Sequence, residues 1–457
     1  MSRYTSATDA DRRAMLERIG AGSIDELFAD VPEAVRLDRP LDLPRGLPEQ
    51  EVYARLRDLA ARNVSTEDEL SFLGAGMYDH YVPALIDTLL SRSEFLTPYT
   101  PYQPEVSQGT LQVMFEYQTA ISELTGLPVS NATLYEAPSA VSAAGWLARQ
   151  HTGRGRFVVS RGLHPHSREA LATTGLGYGA TVDEVPLVAG VTDAAALGAA
   201  LGDDVAAVIV QQPNFLGAVE DLEPLAAAAH EAGALLVVQA DPLTLGVLRP
   251  PGDFGADIAV GEGQSLGNRL DFGGPSFGFF AAQETYLRRM PGRIAGETVD
   301  ADGRRGFVLT LQTREQHIRR EKATHNITTA QTLNALAGVV YLSWLGRAGI
   351  VELGELLLAR TAYARGRLAA LDGVEALHDQ PVVREFAVRL DADVEAVIER
   401  CAAAGVNPGY ALGRDYPEYA DGLLVAITEQ RSRADIDRLA DVLGAAVAAQ
   451  RETPVAA

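Results

Sequence analysis

Chemistry that needs an amine nucleophile has one candidate in this sequence. Of its 39 lysine and arginine residues, Lys322 alone is a lysine. A primary amine can form an imine with a carbonyl compound. Lys322 lies in REQHIRREKATHNITTAQ, a charged stretch that opens a helical run and follows no core strand. That setting suits an exposed lysine, or one paired with Glu321 or Glu315, better than an imine. A GC-rich genome, which favours arginine codons, would account for most of the bias. A second candidate is Asp241, which closes the run ALLVVQAD. An acid at the carboxyl end of a parallel strand stands where α/β proteins place their sites. It could pair with the protonated ring nitrogen of a heterocyclic cofactor. It could equally cap the following Asp-Pro turn, and spacing alone favours the cap.

The next apolar run, Ile258–Val260, leads into GEGQSLGNRLDFGGPSFGFF. In pyridoxal-phosphate (PLP) enzymes with an aspartate so placed, the Schiff-base lysine follows this strand. Here the residues are Gly263, Gln264 and Ser265, none of which can form an imine. Gly273 and Gly274 permit a tight turn or the close approach of a ligand, or simply form a loop. The stretch TPYTPYQPEVSQG, from Thr97 to Gly109, carries three prolines and two tyrosines. Prolines stiffen it, and Tyr99 and Tyr102 offer stacking area with one hydroxyl each. Stiff aromatic loops are typical of sites and interfaces. Thr100, Gln103, Glu105 and Gln108 are the polar candidates around them. Asn131 opens NATLYEAPSAVSAA, a loop entering a helix near Pro138, whose free N–H groups could hold an anion. His164 and His166 flank Pro165. The first could stack on a cofactor ring, although capping a local turn suits it better. No histidine or cysteine cluster has metal-ligand spacing, and there is no G-x-S-x-G elbow or Walker loop.

Positioning such residues requires a frame. Apolar, β-branched runs recur at Phe157–Ser160, Glu184–Val188, Val205–Gln211, Ala234–Gln239, Ile258–Val260 and Phe277–Ala281. Helical stretches such as Ser167–Thr174, Asp193–Leu201 and Glu223–Ala232 separate the first several. Doubly buried strands alternating with helices predict a large, mainly parallel sheet in an α/β fold. After Gln331 a helical run reaches about Leu371. A smaller C-terminal α/β unit follows, with strands Glu385–Leu390 and Leu423–Thr428 and helices Val394–Ala404 and Arg433–Ala448. Residues 1–65 read as a helical and extended arm, with Asp9 and Ser23 as helix caps. The expected organisation is thus an arm over 1–65, a large domain over 66–330 and a linking helix with a small domain over 331–457.

The 457 residues are 47% apolar, ample for a large core. The net charge of −22, without a basic cluster, argues against nucleic acid and anionic membrane as partners. Cys401 is the only cysteine, so no internal disulfide can form, which suits a reducing cytosol. The polar N-terminus is no signal peptide, and the apolar run near Leu336–Leu345 is too short to span a bilayer.

Four stretches resemble the alpha, or N-terminal-half, subunit of glycine decarboxylase, the P-protein of the glycine cleavage system. They are FLGAGMYDHYVP, TPYTPYQPEVSQGTLQ, NATLYEAPSA and GRIAGETVDADGRRGFVLTLQTREQHIRREKATHNITT. The sequence departs from that pattern at Thr328 and Thr329, where NICT would carry a cysteine, and at His325, where serine is usual. The resemblance implies a fold-type-I PLP transferase-like body. It implies no catalytic lysine in this chain, with PLP bound by a lysine-bearing beta subunit and not covalently here. It also implies a hetero-oligomer that decarboxylates glycine and passes the aminomethyl group to the lipoyl arm of H-protein in the cytoplasm. Two subunits share each site in this fold, so the Thr97–Gly109 and Gly273–Phe277 loops are the expected interface. A non-catalytic structural or regulatory partner of a PLP enzyme is the alternative. The missing lysine speaks against a self-sufficient aminotransferase or lyase.

Overall fold

The segment Leu235–Ala240, LLVVQA, is buried along its whole length, and its successive side chains enter different layers. Leu235 and Val237 pack with the helix Ala137–Thr152, while Leu236 and Val238 pack with the helix Leu222–Glu231. Burial on both faces is why the strand reads as a continuous apolar run rather than an alternation. Each fully buried valine or leucine contributes about 1.5–3 kcal/mol.

A computed structural model of the protein describes residues 6–451 except residue 275. Seven strands form the main sheet, in the order Val129–Ser130, Gly278–Ala282, Ile258–Glu262, Leu235–Ala240, Val205–Gln212, Arg156–Ser160, Thr181–Val185. The last five are mutually parallel, and Gly278–Ala282 runs antiparallel to both its neighbours. The predicted run Glu184–Val188 is divided. Thr181–Val185 joins the sheet, Pro186 interrupts, and Leu187–Val188 pairs separately with Val191–Thr192. A C-terminal antiparallel sheet has the order Val374–Ala376, Glu385–Leu390, Gly422–Ala426, Tyr410–Ala411. The helices Val394–Ala403 and Arg433–Arg451 share its core. A hairpin, Ile294–Val299 with Arg305–Thr310, stands apart from both sheets.

The small sheet meets the large one closely. Gly217 has φ +84°, and a Cβ there would lie 2.1 Å from the Glu385 carbonyl oxygen, so only glycine lets the two backbones touch. The helix Thr332–Ala369 is, among the described residues, the one long and apolar enough to cross a membrane. Its backbone is non-helical at Gly346, and Leu336, Ala337, Tyr341, Leu353 and Leu357 are buried in the protein.

The chain divides into two compact units, Met1–Val64 and Ser65–Ala457. In the first, helices Asp9–Ile19 and Glu49–Ala60 bury no residue of their own. The cap of the first helix is Thr8 rather than Asp9. Its hydroxyl accepts from the Asp11 N–H, and Asp11 answers from the Thr8 N–H at 2.8 Å. This reciprocal pair satisfies two free donors where Asp9 would satisfy one.

Candidate functional site

Asp241 ends its strand beside a buried arginine from the small sheet. Arg384 Nε donates to Asp241 Oδ2 at 2.5 Å, and its guanidinium lies 3.5 Å from the centre of the Tyr78 ring. His80 bridges Arg384 to Glu429, with Nδ1 2.6 Å from Glu429 Oε2 and Nε2 against Arg384 Nη1. Arginine cannot accept a hydrogen bond, so Nε2 is the acceptor and Nδ1 carries the proton. Glu385 takes the Tyr78 hydroxyl at 2.8 Å and the Ala75 N–H at 2.8 Å. Complete burial pushes the Glu385 carboxyl up to about 7, against the pull of those donors and Arg384. His164 caps the helix Pro165–Leu176, Nδ1 accepting from the His166 N–H at 3.1 Å. Its Nε2 donates to the Ala75 carbonyl at 2.9 Å, and burial drops it to about 4, so the ring is neutral. Asp241, His164, Tyr78, Arg384 and Glu385 leave between them a cavity of about 40 Å³.

Two carboxylates occupy the N-terminus of the helix Ala137–Thr152. The Ala137 N–H donates to Glu262 Oε2 at 3.1 Å and the Ser139 N–H to Glu136 Oε1 at 3.2 Å. Pro138, between them, has no N–H to give. Glu262 also accepts from the Gln264 N–H and the Ser276 hydroxyl. Burial raises the Glu262 carboxyl to about 7, although those donors pull it down. A carboxyl whose folded-state value is raised stabilises the fold fully only below its unfolded value near 4.5, and that contribution is lost as pH rises through 7. Between pH 5 and pH 8 the wild-type chain should therefore lose roughly 3 kcal/mol relative to Glu262→Gln, read by urea denaturation of both. Parallel losses in the two proteins would show that Glu262 holds no buried proton.

The positions where an imine-forming lysine was sought are closed by hydrogen bonds. The Gln264 side chain donates to the carbonyls of Tyr78 and Asn268 at 3.0 and 2.9 Å and accepts from the Tyr78 N–H at 2.9 Å. Ser265 is buried beside it. Lys322 is exposed and makes no ion pair among the described residues.

The tyrosine loop assembles a second constellation. The Tyr99 and Thr329 hydroxyls are 2.5 Å apart. The Tyr102 hydroxyl donates to Glu315 Oε2 at 3.0 Å and accepts from Arg293 Nη2 at 2.9 Å, which also reaches the Thr328 carbonyl. Gln108, the first residue of the helix Gln108–Thr125, ties the loop down. Its amide joins the Pro104 carbonyl to both backbone groups of Phe307 in the hairpin. Both tyrosines remain exposed, at 71% and 41%. Asn131 is buried, with its Nδ2 on the Pro291 carbonyl, two residues before Arg293.

The structure thus gathers Asp241 and His164 at the sheet's end, and Tyr99 and Tyr102 with Arg293, Glu315, Thr328 and Thr329. Thr100, Gln103, Glu105, Gly273, Gly274 and Lys322 join neither set. Gly273 and Gly274, at φ +101° and +138°, form an exposed turn beside Phe272. Its neighbours Ser276 and Phe277 are buried, Phe277 edge-on against Tyr117, and residue 275 lies outside the described residues. Sequence reasoning missed Tyr78, Glu262, Arg293, Arg384 and Glu385. The adjacent charges of Arg384 and Glu385 at the head of the apolar strand EFAVRL were the available signal.

A mainly parallel seven-stranded sheet with an acid and a helix N-terminus at its carboxyl end, followed by a small antiparallel sheet, is the body of a fold-type-I PLP-dependent enzyme. A sphingosine-1-phosphate lyase of Burkholderia pseudomallei shares that fold at a TM-score of 0.65 and 16% identity, covering 92% of this chain and 96% of its own. The chain belongs to the glycine cleavage system P-protein family, whose sequence profile matches residues 2–443. A crystal structure of glycine decarboxylase (P-protein) of the glycine cleavage system, in inhibitor-bound form, superposes with a TM-score of 0.89 and 46% identity. It covers 97% of this chain and 100% of that one. The probable glycine dehydrogenase (decarboxylating) subunit 1 of Geobacillus kaustophilus is 48% identical over 444 residues, 97% of this chain and 99% of its own. That of Moorella thermoacetica is 49% identical over 436 residues, 95% and 98% of the two chains.

The residues at the sheet's end do not fit PLP. The acid that would face the ring nitrogen is paired with Arg384, and the helix donors that would face the phosphate hold Glu262 and Glu136. The cavity of about 40 Å³ is far below the ~300 Å³ of a small-molecule site.

Proposed function

We propose that this chain is subunit 1 of a two-subunit glycine decarboxylase. With a lysine-bearing partner that holds PLP, it decarboxylates glycine and transfers the aminomethyl group to the lipoyl arm of H-protein, in the cytoplasm. The observation that carries this reading is an end-to-end match to subunit 1 relatives in a chain whose expected lysine position holds Gln264 and Ser265. The chain's own contribution is a wall of the shared site. Tyr99 and Tyr102 present two hydroxyls on a proline-stiffened loop. The Tyr102 hydroxyl is held between Arg293 and Glu315, which fixes the partly exposed ring as part of that wall.

Co-expression with the partner subunit, followed by light scattering and a glycine–bicarbonate exchange assay, tests the reading. A hetero-oligomer, two alpha with two beta chains, should form and exchange label, with neither chain active alone. A monomer that ignores the partner at micromolar concentration defeats it, and an assembly that exchanges equally well without this chain demotes it to a structural partner.

Borohydride reduction of the isolated chain with PLP should leave no stoichiometric phosphopyridoxyl adduct by mass spectrometry. A site-specific adduct at Lys322 would contradict the placement of the cofactor on the partner.

A further inference from the structure

Behind Tyr102 lies a group of buried cations with more donors than acceptors. Arg293 and Arg314 are 3% and 5% exposed. Arg293 uses Nη2 alone, and its Nε and Nη1 are buried without a partner. Arg314 bonds only to the carbonyls of Leu311 and Met290, has no carboxylate within ion-pair reach among the described residues, and leaves Nη2 unpartnered. His325 stands close enough for both guanidinium charges to act on it. Burial, then Arg314 and Arg293, push its imidazole down to about 3, so it is neutral. Its Nδ1 accepts from the Ile327 N–H at 3.3 Å, which leaves the proton on Nε2, and Nε2 is likewise buried and unpartnered.

Four nitrogens therefore carry hydrogens with nothing among the described residues to receive them, at about 1–3 kcal/mol or more each. Arginine cannot shed its charge to escape that cost. The one buried carboxylate within ion-pair reach of this group, among the described residues, is Glu315, 3.6 Å from Arg293 Nη2 and engaged by Tyr102. Two buried cations against one buried anion leave an excess of one positive charge, which a monoanion balances and a phosphate dianion would overshoot. Of the three donor residues, His325 also lines a cleft of about 1050 Å³, together with Pro291 and Gln316.

We propose that Arg293, Arg314 and His325 form a receptor for a small carboxylate anion, which enters from this cleft and accepts their unpartnered N–H groups. The planar guanidinium matches a carboxylate in shape as well as charge. The carboxylate can come from a free small molecule or from an acidic side chain of the partner subunit. The inference goes beyond the decarboxylase reading and takes from it only the existence of a partner subunit.

Formate labelled with carbon-13 is the probe, titrated at constant ionic strength and followed by NMR line broadening. The full chain alone should bind it saturably, and Arg293→Gln and Arg314→Gln should each weaken binding at least tenfold while circular dichroism stays native. In the two-subunit assembly, retained binding identifies a free carboxylate as the natural occupant, and abolished binding identifies a side chain of the partner; both support the receptor. Failure of the wild-type chain to bind formate overturns the proposal, even if one variant does not fold. Binding that both variants keep unchanged overturns it as well. No step of the test reads enzyme activity, so its failure and that of the decarboxylase reading are separable.

Discussion

Replacing Tyr102 with alanine in the assembled two-subunit enzyme is expected to lower glycine decarboxylation about a hundredfold while the complex stays intact. The ring lies over Arg293, with the guanidinium 5.4 Å from its centre, and edge-on to His317 at 5.4 Å. Its hydroxyl joins Arg293 to Glu315. Truncation removes the ring proposed to line the shared site, together with the hydroxyl that bridges Arg293 and Glu315. Tyr102→Phe keeps the ring and drops only the hydroxyl, so its rate should fall by less than that of Tyr102→Ala. Tyr99 should follow the same order, because its hydroxyl is held by Thr329 on an otherwise exposed ring. A packed surface tyrosine would instead shift stability by about 0.5–3 kcal/mol and leave the rate alone. Decarboxylation rate and melting temperature measured on the same four variants separate the cases. Near-normal rates throughout, with assembly preserved, would make the loop structural.

Arg384→Ala is expected to cost about 3–5 kcal/mol of stability, the largest loss among the charged residues of the sheet-end cluster. Asp241 and Glu385 would lose their common cation while remaining buried or nearly so, and His80 would lose its donor. The same cation sits on the Tyr78 ring, so packing is lost with the charge. Asp241→Asn in the Arg384→Ala background should recover part of the loss, because it removes the stranded charge. Urea unfolding of the two single variants and the double variant gives the coupling. A loss below about 1 kcal/mol for Arg384→Ala would mean that water screens the pair as it does at a surface.

That Gln264 and Ser265, and no lysine, follow the strand Ile258–Glu262 was legible without any structure, because it is a matter of residue type and chain position. The parallel sheet was legible for a similar reason. A strand buried on both faces must be apolar throughout, and runs such as ALLVVQ and AAVIVQ keep that mark wherever the chain places them. Weaker local signals failed. The strand Val129–Ser130 has two residues, too few for any period to show. The hairpin strand Ile294–Val299 reads IAGETV, in which a glycine and a glutamate break the alternation. Thr8 and Asp9 are both good caps, and only the reach of Asp11 back to Thr8 decides between them.

The sites depended on contacts that local sequence cannot express. Arg384 meets Asp241 across 143 residues, and Tyr102 meets Glu315 across 213. Periodicity reports which face of an element is buried, because each residue's burial leaves its mark beside it in the chain. It does not report which buried charge faces which, since that depends on how two sheets and a hairpin pack. Only the tertiary structure therefore decided that the acid at the sheet's end is sealed by an arginine of this chain, that a glutamate holds the helix N-terminus, and that two arginines stand behind the tyrosine loop with donors to spare.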